Sequence, residues 1–256
     1  MVSDNLKALY EKLPSAVKLV AVSKFHPVSR LMEAYNAGQR VFGENRPQEL
    51  AQKVPQMPSD VEWHFIGHLQ TNKLKLVLPY VSLVQSVDSL HLLKAIDKWG
   101  RENGKTIDVL LELHLGAEET KHGFSEEEIL MLLSSGSTPS ENLRSQSDLR
   151  PSQSMLWAPP SNVPRVAQFS EGVLPPQSIR IRGLMGMATN TGDEGVIEAD
   201  FARIEALFKR IRTEHPELTE TFTELSIGMS GDWPIAVRHG ATMVRIGTDI
   251  FGEREY

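Results

Sequence analysis

The chain has 256 residues, 40% hydrophobic and 23% charged, which suits one large domain whose core needs no cross-links. Lys and Arg number 27 against 33 Asp and Glu, a net charge of -6, which argues against nucleic acid or an anionic membrane as partner but leaves room for a local basic pocket. There is no cysteine, so disulfides, thiol catalysis and zinc–thiolate sites are excluded.

In chain order, "MVSDNLKALYEKLP" reads as an amphipathic helix of mixed charge, without the apolar run of a signal peptide. No stretch approaches the roughly 18 apolar residues of a membrane span, so a cytoplasmic protein is expected. Strands are predicted over 17–24 ("VKLVAVSK"), 40–45 ("RVFGEN"), 62–68 ("EWHFIGH"), 81–88 ("VSLVQSVD"), 106–115 ("TIDVLLELHL"), 178–188 ("SIRIRGLMGMA"), 221–230 ("TFTELSIGMS") and 243–249 ("MVRIGTD"). Helices are predicted between them, over 28–38, 47–54, 70–80, 89–104, 125–135, 194–215 and 232–241. Asp88 and Ser89 precede the helix that Gly104 closes, with Asp88 read as a capping residue. Ser125 followed by Glu128 is a capping box, and Phe201, Ile204, Phe208 and Ile211 recur at helical spacing.

Eight strands alternating with helices imply a parallel sheet covered on both faces. Closed on itself, this is an α/β barrel of the TIM type, (β/α)8, whose usual size is about 250 residues. The rival, an open doubly wound sheet, lacks its G-x-G-x-x-G fingerprint after the first strand. We therefore expect a single barrel domain over 1–256. One segment does not fit. Residues 134–177 are rich in Ser and Pro, have no periodicity, and fall before the sixth strand. They are expected to form a flexible insertion on the face opposite the site, with Met155, Leu156 and Trp157 as its apolar cluster.

In such a barrel, function sits at the carboxyl ends of the strands. Those ends carry Lys24; Gly43, Glu44 and Asn45; Gly67 and His68; Ser86 and Asp88; Met187 and Thr189; Gly228, Ser230 and Asp232; and Arg245, Gly247 and Thr248. "SIGMSGD" and "RIGTDIFG" place glycine beside hydroxyl residues on the last two strands, where barrels commonly bind phosphate through backbone N–H groups. A lysine on the first strand then faces that phosphate. It either neutralises the anion as a point charge or forms a Schiff base with an aldehyde that carries the phosphate, pyridoxal phosphate. That bond needs a neutral amine, which burial beside Arg245 favours. Neither His114 nor His122, on either side of "LGAEETK", has metal-ligand spacing. His68 is open between a satisfied buried histidine and a functional one.

"AVSKFHP", "FGENRPQEL", "WHFIGHLQTNK", "SVDS", "ETKHGFS", "IRGLMGMAT", "LSIGMSGD" and "VRIGTDIFGER", in this order, resemble the pyridoxal phosphate homeostasis proteins (the YggS/PROSC group) from about residue 14 to 254. The resemblance implies a fold-type III barrel like the N-terminal domain of alanine racemases, with pyridoxal 5'-phosphate as cofactor. It implies that Lys24 forms the Schiff base, an internal aldimine. By the same resemblance Ser230, Gly247 and Thr248 cradle the phosphate, Arg245 faces the pyridine nitrogen, and Asn45 lies near the ring and the lysine. No residue is assigned a catalytic role and no metal is implied. The function implied is buffering and delivery of the cofactor, with pyridoxal phosphate-dependent apoenzymes as recipients. An arginine against the pyridine nitrogen keeps it unprotonated and makes the ring a poorer electron sink. Alanine racemases carry the same arginine but add a second domain. This chain reaches Tyr256 directly after its eighth strand, so we expect a monomer that holds the cofactor and does not turn over amino acids. The alternatives are a racemase-like enzyme using the same cofactor and a phosphosugar aldolase using a barrel lysine. The family often has Tyr after "GEN", where this chain has Arg46.

Overall fold

The computed structural model describes residues 1–115, 122–134 and 178–253. The strands β1 (Lys18–Val22), β2 (Val41–Glu44), β3 (Glu62–Phe65), β4 (Leu83–Val87), β5 (Ile107–Leu113), β6 (Ile179–Gly186), β7 (Glu224–Ser226) and β8 (Met243–Ile246) pair in this order. All pairs are parallel, and β8 closes on β1 with Val20 opposite Arg245. The helices are α1 (Val2–Tyr10), α2 (Val28–Asn36), α3 (Pro47–Lys53), α4 (Leu74–Val77), α5 (Leu90–Asn103), α6 (Glu126–Ser134), α7 (Glu194–Glu214), α8 (Trp233–Arg238) and α9 (Thr248–Phe251). This is the expected barrel. Apart from Ser134, the last residue of α6, the expected insertion with Met155, Leu156 and Trp157 lies outside the described residues.

The strands are apolar runs because both of their faces are covered. On β1, Val20 points into the barrel, where it packs with Leu83, Leu110, Met185 and Met243, while Leu19 and Ala21 face the helix layer. α7 buries Phe201, Ile204, Leu207 and Ile211. Phe208, on the same stripe, is only partly buried and stacks on Phe222 at 5.3 Å. The capping box is reciprocal: the Ser125 N–H donates to Glu128 Oε2 (2.8 Å) and the Glu128 N–H to Ser125 Oγ (3.2 Å). Gly104 closes α5 in the left-handed region at φ 61°.

The structure differs from expectation in three places. Over 70–80 there is a 3₁₀ turn, Thr71–Lys73, followed by the four-residue α4. Leu78 is still helical at φ -61° and ψ -28°, and Pro79, which has no N–H to donate, stops the ladder there. β7 ends at Ser226, so Gly228, Met229 and Ser230 form a loop. Ser89 is the N-cap of α5, its Oγ accepting from the Leu92 N–H, which leaves the Asp88 carboxylate for other partners.

Candidate functional site at the barrel mouth

Lys24 follows β1 after one residue, Ser23, whose N–H donates to the Gly43 carbonyl (3.0 Å) and extends the β1–β2 pairing. Lys24 is half-buried. The next residue, Phe25, has φ 67°, an unusual backbone for an aromatic residue. Two contacts hold it there. Its N–H donates to Glu49 Oε2 (2.9 Å), and the Arg46 guanidinium stacks on its ring at 4.2 Å. Arg46 thus has a packing role at the position where the family often has tyrosine. Beneath this turn lies a second lysine. Lys53 Nζ donates to the Ser23 carbonyl (2.9 Å), Glu44 Oε1 (2.6 Å) and Glu49 Oε2 (3.0 Å). Burial pushes the Glu44 carboxyl up, and Lys53 opposes that shift.

Arg245, on β8, is 4% exposed. Its Nη1 donates to the Ser226 carbonyl (2.7 Å) and Oγ (2.6 Å), and its Nη2 to the Gly186 carbonyl (2.9 Å). Burial lowers its pKa to about 10, opposed by Glu112 and Asp232, so it stays charged at neutral pH. The Ser226 hydroxyl donates in turn to Gln85 Oε1 (2.7 Å), and Gln85 Nε2 donates to His64 Nδ1 (2.8 Å). That last bond needs a neutral imidazole. Burial, then Lys18, pushes His64 down to about 3 and provides it. A polar thread through the barrel therefore orients Arg245. Sequence reasoning missed its members, although "QS" in "SLVQSVD" and Ser226 in "ELSIG" are polar interruptions of buried strands.

The loops after β7 and β8 converge beside this arginine. Gly247 backs onto β1, where a Cβ would stand only 3.3 Å from the Val22 carbonyl and its Cβ. Thr248 is exposed and opens α9. The Met229 N–H donates to Asp232 Oδ1 (2.5 Å), which pins the β7 loop. Ser230 lies beside the Asp249 carboxyl, whose pKa burial raises and the Ser230 hydroxyl lowers. Asp249 was not singled out from the sequence. It places a carboxylate where the Gly, Ser and Thr donors suit an anion.

Across the mouth, Asp88 corrects the capping expectation. Its Oδ2 accepts from His68 Nδ1 at 2.8 Å. The His68 side chain is 49% exposed, so it is not a buried structural histidine. His122 stacks on it with centroids 4.3 Å apart, and His122 Nδ1 is 4.0 Å from Asp88 Oδ2. A cavity of about 290 Å³ is lined here by Asn45, His68, Glu112, His114, His122 and Met187, among others. Burial, then the negative charge of Asp88, raises Glu112 to about 7, with Arg245 opposing. Asn45 Oδ1 is buried in this wall with no hydrogen-bond partner among the described residues.

A closed parallel barrel with a lysine just beyond β1 and a buried arginine on β8 defines a class, the alanine racemase-type barrel. Residues 1–146 match the family described as "Alanine racemase, N-terminal domain". The alanine racemase of E. faecalis shares the fold at TM-score 0.67 and 14% identity, covering 98% of this chain and 57% of that one. Nearer relatives match over their full length. The pyridoxal phosphate homeostasis protein of Haemophilus influenzae is 31% identical over 268 residues, 100% of this chain and 97% of that protein. PipY of Synechococcus elongatus PCC7942, solved without and with PLP bound, is 32% identical with TM-scores of 0.78 and 0.76, covering 98% of this chain and 100% of PipY. The chain belongs to the pyridoxal phosphate homeostasis protein family. No helix among the described residues is long and apolar enough to cross a membrane.

Proposed function

We propose that this protein binds pyridoxal 5'-phosphate at the barrel mouth and serves its homeostasis, holding the cofactor and handing it to apoenzymes that need it. The bound cofactor supplies an aldehyde that a lysine amine can capture and a pyridine ring that can withdraw electrons. The Lys24 amine is the covalent anchor. Ser230, Gly247 and Thr248 donate to the phosphate, and Asn45 borders the ring. Asn45 Oδ1, a buried acceptor without a donor among the described residues, supports a fit to a polar ligand here.

The observation that carries the binding reading is the pairing of Lys24, just beyond β1, with the buried Arg245 on β8, and Arg245 also bears on what the bound ring can do. Its three hydrogen bonds and its place in the polar thread fix a charged guanidinium at the end of β8. A pyridine nitrogen facing that charge is discouraged from taking a proton, since two adjacent cations repel. Removing a proton from a bound amino acid is then poorly assisted. In this reading the protein is a carrier, a single barrel domain working as a monomer, and has no catalytic residue.

Purified protein loaded with the cofactor should be yellow, with absorbance near ~420 nm, as expected for a lysine-captured pyridoxal group. Borohydride reduction and peptide mapping should place the pyridoxyl group on Lys24. Lys24→Ala should lose the covalent link and keep the fold. A pyridoxyl group on another lysine would overturn the assignment. Sustained racemisation of single-enantiomer amino acids by the loaded protein would overturn the carrier reading.

A further inference from the structure

The geometry points to a divalent transition-metal site at the mouth, made by His68, Asp88 and His122, that takes Zn2+ or an ion of similar preference. One ligand atom from each residue lies within 4.8 Å of the other two. The three come from separate parts of the barrel. His68 follows β3 and Asp88 follows β4. His122 sits on the segment that returns to β5, where the Phe124 N–H donates to the Glu112 carbonyl (2.8 Å) and the His114 N–H to the Phe124 carbonyl (2.9 Å). Barrel closure makes neighbours of residues with no metal motif in the sequence.

The chemistry of the donors is selective. Two imidazole nitrogens and one carboxylate oxygen suit Zn2+, Co2+, Ni2+ or Cu2+, whereas Mg2+ and Ca2+ prefer all-oxygen sets. The distances fit as well. Zinc bonds of about 2.0–2.1 Å at tetrahedral angles put ligand atoms ~3.3 Å apart. From Asp88 Oδ2, His68 Nδ1 is at 2.8 Å and His122 Nδ1 at 4.0 Å, so adjustments of less than ~1 Å bring both into range.

Local charge and shape favour a cation. The Asp88 side chain is 6% exposed, and the Glu112 carboxyl beside it is also buried, which gathers two acids on this wall. The two imidazole rings lie nearly parallel, 21° apart at 4.3 Å, and both project from the surface, with side chains 49% and 65% exposed. Coordination through His68 Nδ1 moves the proton it now shares with Asp88 to Nε2, so that the nitrogen lone pair and the carboxylate both face the ion. Three protein ligands leave a fourth position for water, as in zinc sites that stay open. His68 and His122 also line the 290 Å³ cavity, so that water stands at its edge.

This inference does not rest on the cofactor reading, and its test keeps the two apart. Pyridoxal phosphate itself chelates metals, so the full-length Lys24→Ala protein, stripped with a chelator and dialysed, is titrated with Co2+ beside the wild type. Visible d–d absorbance reports the inner coordination sphere, and Zn2+ competition reports affinity. We expect one equivalent of Co2+ in both proteins, displaced by Zn2+. His68→Ala and His122→Ala should each weaken binding by ~100-fold or more, at least the loss typical of disturbing a metal's supporting residues. Both histidines are exposed, so neither change endangers the fold. His91→Ala, on the exposed face of α5, should bind like the wild type. Failure of Lys24→Ala to take up Co2+, unchanged binding in both histidine variants, or equal weakening in His91→Ala would each overturn the site. Loss of the pyridoxyl label from Lys24 with Co2+ binding intact would instead overturn the cofactor reading alone.

Discussion

Lys53→Met tests whether the buried ion network under the Lys24 turn supports the barrel mouth. The Lys53 side chain is 9% exposed and that of Glu44 is fully buried, with 2.6 Å between Nζ and Oε1. Glu44 Oε2 already lacks a hydrogen-bond partner among the described residues, so removing the ammonium leaves a buried carboxylate with the Ser23 hydroxyl as its remaining donor there (2.6 Å). Breaking a buried pair from one side costs about 3–5 kcal/mol, because the stranded charge keeps its desolvation cost. For a chain of this size each kcal/mol moves the midpoint by about 2–4 °C, so Lys53→Met should melt ~6–20 °C below wild type. The double variant Lys53→Met/Glu44→Leu removes both charges and should recover most of the loss. Thermal melts followed by circular dichroism measure all three proteins. A single variant that melts within ~2 °C of wild type, or a double variant less stable than the single, would refute the reasoning.

Ser230→Ala should weaken pyridoxal phosphate binding tenfold to hundredfold, the worth of a charge-assisted hydrogen bond of about 1.5–3 kcal/mol; an unchanged Kd in a spectral titration removes Ser230 from the phosphate site. Asp249→Asn removes the carboxylate beside the Ser230 hydroxyl and should tighten binding up to about fivefold, the ~1 kcal/mol scale of an exposed charge, and weaker binding in the same titration counts against the cradle. Glu112 carries the pH dependence. Its pKa of about 7 lies above the ordinary value of 4.5, so the folded state binds the extra proton. Its stabilisation is complete below about 4.5 and is lost as pH rises through about 7, with a ceiling of roughly 3 kcal/mol. In metal-free buffer, Glu112→Gln should therefore gain midpoint relative to wild type between pH 5 and pH 8, and a difference that stays flat across this range contradicts the assignment.

The barrel was legible in the sequence because its period is local. Apolar runs such as Leu19–Val22, each followed by an amphipathic helix, leave few ways to cover both faces of eight strands, and the Ser125–Glu128 and Gly104 caps mark helix ends through bonds within a few residues. The strand-end residues Lys24, Asn45, Ser230, Arg245, Gly247 and Thr248 could be read off the same alternation, since the carboxyl ends of barrel strands share one face. What surrounds them could not. Arg245 meets Ser226, which links through Gln85 to His64 across the barrel interior, Lys53 reaches back thirty residues to Ser23, and Asp88 turns from a supposed cap to His68. The His68–Asp88–His122 cluster spans 55 residues of chain and is invisible to spacing. Periodicity reports which face a side chain occupies. Which partners it meets there depends on sheet closure and on side-chain rotation, and only the assembled barrel determines both.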